Sequence, residues 1–175
     1  MLKRLMMAAA IVVIAVSAGA ATARADEKGE TSEQTVIKSR AFTIAKGQCS
    51  QLPGNVEIQG LGLERTTTRI EGRDDPGEDE GRVSLSGSLL SRITGTATDN
   101  LGGRYTFSYQ LRFTKPAPIP GSGIVVDRFK LTGTGLANGL STFFRVRVTF
   151  DSGFTPIAFE VLEQSGNPFG GCDPL

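Results

Sequence analysis

The stretch FFRVRVTF, residues 143–150, alternates between apolar and polar side chains almost without interruption. Because successive side chains of an extended chain point to opposite faces, this pattern predicts a β-strand with one buried face and one exposed face. Arg145 and Arg147 then lie on the exposed face. The apolar residues of the opposite face are Phe144, Val146, Val148 and Phe150.

The chain after residue 35 repeats this pattern in short runs separated by turn residues, and the full sequence has 22 glycines. No segment carries a sustained apolar repeat of 3.6 residues, so helices are not expected. The pattern predicts an all-β fold, a single-domain antiparallel β-barrel or β-sandwich of about eight to nine strands. The runs cover residues 36–44, 56–63, 65–71, 82–90, 92–98, 104–113, 124–133, 143–150 and 156–163.

The first 25 residues have the organisation of a secretory signal peptide. Lys3 and Arg4 precede an apolar run that ends in Ala23-Arg24-Ala25, a small-residue cleavage pattern. An uncleaved membrane anchor is the alternative, since the run is near the lower length that can span a bilayer. The prediction is an exported protein, periplasmic or secreted, with no transmembrane segment after cleavage. Residues 26–35 are predicted to form a flexible polar leader, and residues 36–175 a single β domain.

Cleavage changes the charge balance of the chain. Removing Lys3, Arg4 and Arg24 leaves 16 Lys and Arg against 18 Asp and Glu, a net charge of −2. A nucleic-acid partner is not expected, because phosphate neutralisation needs a basic excess or a large basic face. Any basic site must be local.

Cys49 and Cys172 stand near opposite ends of the predicted domain. In an exported chain, two cysteines favour a disulfide bond. Neither a zinc site nor a redox pair is expected, because the chain has no histidine and no C-x-x-C spacing. The disulfide would close the domain by attaching the C-terminal tail to its start.

The densest charge run is EGRDDPGEDEG, residues 71–81. Its acidic residues could supply oxygen ligands to calcium, but the spacing is not that of an EF-hand loop, and a turn at Pro76-Gly77 is sufficient to explain it. A solvated hairpin tip is the favoured interpretation and a weak metal site the alternative. The residues of that alternative are Asp74, Asp75, Glu78, Asp79 and Glu80.

The dipeptide Asn138-Gly139 is a strong signal for a two-residue hairpin turn. That turn would place Lys130 opposite Arg147 and leave four cations crowded on one exposed face, where opposed like charges are destabilising. An acidic loop of the same chain, solvent alone, or an external anion could compensate them. This candidate ligand-binding patch consists of Arg128, Lys130, Arg145 and Arg147.

A chain without histidine cannot build a Ser-His-Asp triad or an imidazole base, and no residue pattern implies a cofactor. The predicted hairpin turns Asp127 toward the apolar face, where burial would raise its pKa, but a solvated strand end is the simpler expectation. An enzyme would require Asp127 or Glu160 to lie inside a pocket.

The leading hypothesis is an exported non-enzymatic β domain that binds an anionic or hydrophobic ligand, or an envelope protein partner. Binding would use the basic patch or a barrel interior. The alternatives are a structural or stress-related envelope protein with no small-molecule site, and a small barrel isomerase or cyclase.

Overall fold

The computed structural model describes residues 31–74, 83–115, 121–151, 155–166, 168 and 171–174. The predicted signal peptide lies outside this part of the chain. No helix long and apolar enough to cross a membrane occurs in these ranges. The strands are β1 (Thr31–Ile44), β2 (Ile58–Asp74), β3 (Val83–Asp99), β4 (Arg104–Lys115), β5 (Gly121–Gly133), β6 (Ser141–Phe150) and β7 (Pro156–Ser165).

The seven strands form one antiparallel sheet in which each strand pairs with its neighbour along the chain, from β1 to β7. The all-β prediction is therefore confirmed. The sheet is not closed: β1 and β7 are its two edges. Neither the barrel nor the sandwich is confirmed, and the described residues form seven strands rather than eight or nine. β1 begins at Thr31, inside the segment predicted as a leader.

The predicted strand number is too high because the runs were divided at Glu64 and Ser91, two polar residues that are buried within the continuous strands β2 and β3. Glycines within the same two strands allow close packing. Gly62 in β2 and Gly95 in β3 are directly paired. A Cβ atom at Gly62 would lie 2.7 Å from the ring of Phe107, and one at Gly95 would lie 2.2 Å from the carbonyl oxygen of Leu61. These glycines therefore allow a ring to pack directly on the backbone.

One face of the sheet, here the inner face, carries the core. Phe42 of β1 contacts Phe107 of β4 and Phe129 of β5, with ring centroids 4.8 and 5.6 Å apart. Because β1 and β5 are not neighbours in the sheet, the sheet must curl to bring these rings together. The alternation predicted for β4 and β6 is confirmed, since Tyr105 to Phe113 at odd positions, and Val146, Val148 and Phe150, are all buried.

The predicted disulfide between Cys49 and Cys172 is present, with its Cα atoms 4.3 Å apart. It attaches the C-terminal tail to the loop after β1, and both cysteines are buried. At the same end of the sheet, Asp99 accepts hydrogen bonds from the backbone of Leu101 and Gly103 and from the Tyr105 hydroxyl. These contacts cover the aromatic end of the inner face.

The predicted register of β5 and β6 is wrong. Lys130 pairs with Ser141 and Arg128 with Phe143, so no two cations of the basic patch are directly opposed in this pair of strands. The connection is wider than a two-residue turn, because the backbone N–H of Gly133 donates to the side chain of Asn138 and that of Leu131 donates to the Leu140 carbonyl. Asn138 thus takes part in a longer loop.

Candidate functional site

The apolar inner face continues past the core onto the edge strand β7. Val161 pairs with Val146, and Phe159 pairs with Val148. The two valines of β6 are 2% and 5% exposed, whereas Val161 is 46% and Phe159 39% exposed. Ile157, at the next alternate position, is 62% exposed. An apolar strip therefore runs from the covered core to an uncovered edge.

The opposite edge of the inner face, on β1, carries cations beside a buried carboxylate. Glu64 of β2 is 6% exposed. Its Oε2 atom lies 2.7 Å from Nε of Arg40 and 3.4 Å from Nζ of Lys38. Its Oε1 atom accepts hydrogen bonds from the hydroxyls of Ser91 and Thr66 at 2.8 and 3.1 Å. Every oxygen of this carboxylate is engaged.

The pKa of Glu64 follows from these contacts. Burial acts to raise it, but the hydrogen bonds from Ser91 and Arg40 and the positive charges of Arg40 and Lys38 outweigh burial and hold the pKa below its ordinary value. Glu64 is therefore ionised at neutral pH.

A second titratable cluster lies deeper on the inner face, between β4, β5 and the C-terminal tail. The Tyr109 hydroxyl donates to Oδ2 of Asp127 at 2.8 Å, and the Thr142 hydroxyl donates to Oδ2 of Asp173 at 2.9 Å. Oδ1 of Asp127 receives no hydrogen bond from a conventional donor among the described residues. The two carboxyl groups lie within hydrogen-bonding reach of each other.

Asp127 is 3% exposed, and its environment favours the neutral acid. Burial and then the charge of Asp173 raise its pKa to about 9, while the hydrogen bond from Tyr109 acts in the opposite direction. The pKa of Tyr109 is also well above its ordinary value, first because of burial and then because of Asp127 and Asp173. At neutral pH Asp127 is therefore mainly in its neutral form.

This result settles one of the sequence-based alternatives. The prediction that Asp127 faces the apolar side, where burial raises its pKa, is confirmed, and the expectation of a solvated strand end is wrong. Glu160, the other acidic residue considered for an enzyme, lies on the exposed face, with 59% of its side chain accessible.

The four residues of the predicted basic patch lie on the exposed face of β5 and β6, where β7 supplies acidic neighbours. Arg147 forms an ion pair with Glu160, and Arg145 pairs in the sheet with Glu163. The guanidinium of Arg128 lies over the Phe143 ring, 5.3 Å from its centroid. The acid that meets these arginines is thus on the next strand, and the expected imbalance of charge is reduced. Binding by Arg128, Lys130, Arg145 and Arg147 stays a prediction.

The weak metal site falls on Asp74, Asp75, Glu78, Asp79 and Glu80, whose side chains lie outside the described residues. Within the described residues, no group of three or more acidic or cysteine side chains could hold a metal ion.

Sequence reasoning missed Lys38, Arg40, Glu64 and Asp173. The sequence did contain a signal for the burial of Glu64, because the alternation from Ile58 through Gly60 and Gly62 places it on the inner face. It was missed because the predicted strand was divided at this residue. Asp173 adjoins Cys172, so the disulfide locates it near the core, yet nothing in the sequence identifies its carboxyl partner.

Searches for similar proteins find no match: no family model, no curated protein and no solved structure resembles the chain at a significant level. A function is therefore inferred from the geometry of the inner face alone.

Proposed function

We propose that this chain is an exported, non-enzymatic binding domain that holds an apolar small molecule on its inner face, along the open side of the curled sheet. The observation that carries the proposal is the apolar strip from buried Val146 and Val148 to exposed Val161 and Phe159. Exposed apolar surface that is continuous with a core marks an interaction site more often than isolated exposed side chains do. The disulfide is consistent with an oxidising, exported environment.

The edge strand β7 supports a ligand on the inner face. Its exposed-face residues Glu160 and Glu163 are charged, as expected for a solvated strand, whereas its inner-face residues are apolar at three alternate positions. A strand that faced water on both sides would have no need of this alternation. A ligand lying across the sheet would cover the apolar side and leave the charged side in water.

The magnitude of this contact limits what it can do alone. Full burial of a valine, isoleucine or phenylalanine side chain contributes about 2 kcal/mol. Covering the exposed half of three such side chains contributes roughly 3 kcal/mol, which is less than the ~4 kcal/mol of a millimolar complex. The ligand must therefore also contact buried core residues or a polar group.

A small barrel isomerase or cyclase is the second candidate, favoured by the neutral acid Asp127 beside Tyr109. Such a pair can donate a hydrogen bond to a developing negative charge. However, Asp127 is 3% exposed, so its acid group is hardly accessible to a substrate. Binding without turnover requires no access to this acid, so the binding function is preferred.

The test of the proposal is the affinity for a neutral apolar probe, N-phenyl-1-naphthylamine, measured by fluorescence titration. The variant with Phe159→Ser and Val161→Ser removes the exposed part of the strip. The matched control carries Leu61→Ser and Leu63→Ser, because these leucines are 61% and 62% exposed on the other face of the sheet. We expect about tenfold weaker binding in the first variant and less than a twofold change in the control.

Equal effects of the two double variants, or no saturable binding by the native protein, would contradict the proposal. Thermal melting of each variant separates lost binding from lost folding, since substitutions at exposed positions should leave the fold intact. Native mass spectrometry of protein purified from its host's envelope adds an independent readout. A mass excess that is lost on denaturation supports a retained ligand. A protein that has no mass excess and does not bind the probe supports a structural envelope protein.

A further inference from the structure

Arg40 uses only part of its hydrogen-bonding capacity. Its Nε donates to Oε2 of Glu64 at 2.7 Å, and its terminal guanidinium nitrogens donate no hydrogen bond to a described residue. Some 42% of its side chain is accessible. Glu64 has no further oxygen to offer, since Ser91 and Thr66 donate to the other one. The terminal edge of the guanidinium therefore has its donors available.

The local charge on this part of the inner face is positive. Lys38 and Arg40 both contact the single carboxylate of Glu64, which leaves one positive charge uncompensated by that carboxylate. Asp127 adds no full negative charge to this face, because burial and then the charge of Asp173 hold it mainly in its neutral form at pH 7. A cationic ligand group would meet repulsion at Lys38 and Arg40, and an anionic group would be attracted.

Arg40 also lies where the covered part of the inner face ends. Two residues along β1, Phe42 is 6% exposed and packs against Phe107 and Phe129. On the other side of Arg40, toward the start of the strand, the inner-face residue Val36 is 47% exposed. A ligand whose apolar body covers the exposed inner-face surface beside Val36 would therefore bring one end close to the guanidinium.

We propose that the ligand is an apolar molecule with a carboxylate head group, which the terminal nitrogens of Arg40 bind, with Lys38 beside it. This inference rests on the proposed function. A guanidinium matches the two oxygens of a carboxylate through two parallel hydrogen bonds, a geometry that an ammonium group cannot supply. The head group supplies the polar contact that the apolar strip needs to reach useful affinity.

Three ligands with the same ten-carbon chain test the head group: decanoate, decanol and decyltrimethylammonium, each titrated at pH 7.4 by calorimetry below its aggregation concentration. We expect decanoate to bind at least tenfold more tightly than decanol, and decyltrimethylammonium to bind most weakly. Arg40→Gln should remove the preference for decanoate and leave decanol binding within about twofold. Glu64 keeps Lys38, Ser91 and Thr66 in this variant, so the fold should persist.

Two further variants separate charge from geometry. Arg40→Lys keeps the charge and loses the planar fork, so it should recover only part of the preference for decanoate. Arg112→Gln removes an exposed cation from the other face of the sheet, on β4 and outside the basic patch, and should leave the preference unchanged. A decanoate preference that survives Arg40→Gln, or that Arg112→Gln removes equally, overturns the head-group proposal.

The outcomes for the two proposals are distinguishable. If decanol and decanoate bind equally, and the Phe159→Ser and Val161→Ser double variant binds both more weakly, the inner face binds apolar ligands but Arg40 does not bind the carboxylate. If none of the three ligands binds, the proposed function itself fails. Equal weakening of all three ligands by Arg40→Gln would assign Arg40 a structural role and refute the head-group proposal.

Discussion

Replacing the acid of Asp127 by an amide should stabilise this protein at neutral and alkaline pH. Folding raises the pKa of Asp127 from 3.8 to about 9. Between these values the unfolded chain has lost the proton and the folded chain has kept it. Stability is therefore greatest below the lower value and decreases as pH rises, with a slope of about 1.4 kcal/mol per pH unit until pH 9. At pH 7 the free energy of unfolding is thus ~4 kcal/mol lower than below pH 3.8.

Asp127→Asn removes the titratable carboxyl group and keeps a side chain that can make the same hydrogen bonds. The amide oxygen can accept from the Tyr109 hydroxyl, and the amide nitrogen can donate to Asp173 in place of the acid proton. We expect the variant to be at least ~2 kcal/mol more stable than the native protein at pH 8, and the difference to shrink toward pH 5. Because the chain has no histidine, no imidazole titrates in this range to obscure the slope.

The assay is urea unfolding at pH 5, 6, 7 and 8, followed by circular dichroism, with the disulfide intact. Glu33→Gln is the control, since Glu33 is an exposed carboxylate on the edge strand β1. It should show the native pH dependence. If Asp127→Asn is less stable than the native protein at pH 8, or if both retain the same slope, Asp127 does not hold a proton and the account of the inner-face cluster is wrong.

Two other predictions concern the fold. Gly95→Ala should destabilise the protein by about 2 kcal/mol or more, because its Cβ would lie 2.2 Å from a backbone oxygen of the neighbouring strand. The control is Gly87→Ala in the same strand, where the nearest atom is 3.7 Å away, and it should change the urea midpoint little. Equal effects of the two substitutions would contradict the close approach at Gly95. Replacing Cys49 and Cys172 by serine opens a loop with a sequence separation of 123 residues. The substitution should lower the free energy of unfolding by ~5 kcal/mol. A thermal midpoint that falls by only a few degrees would show that the C-terminal tail is held mainly by its other contacts.

The fold class could be predicted because its signal is local. The alternation in residues 143–150 and 104–113 depends only on neighbouring side chains, and both segments form strands with the expected buried face. The cysteine pairing was equally accessible, since two cysteines allow one disulfide within the chain. The strand number failed because the runs were divided at Glu64 and Ser91, where a polar residue occupies a buried position of a strand. Only the hydrogen bond between these two side chains, from β3 to β2, shows why polar residues are tolerated there.

The register of β5 and β6 failed for a related reason. Asn138-Gly139 has the composition of a two-residue turn, and Gly139 does have a positive φ of 84°. But the Asn138 side chain accepts from the backbone of Gly133, which widens the loop and shifts every pair across the hairpin. Asp127 still points inward in the observed register. The burial of Asp127 was therefore predicted correctly from a pairing that was wrong. The observed register differs from the predicted one by an even number of residues, and such a shift keeps each side chain on the same face.

Three features of the inner face do not contribute to the stability of the fold. Phe159 and Val161 are apolar and exposed on the edge strand. The raised pKa of Asp127 lowers stability at neutral pH, and the terminal nitrogens of Arg40 donate no hydrogen bond to a described residue. Features of this kind are expected where a sequence has been selected for binding as well as for stability. Their presence on one face of the sheet supports the proposed ligand site and makes Arg40 the first residue to test.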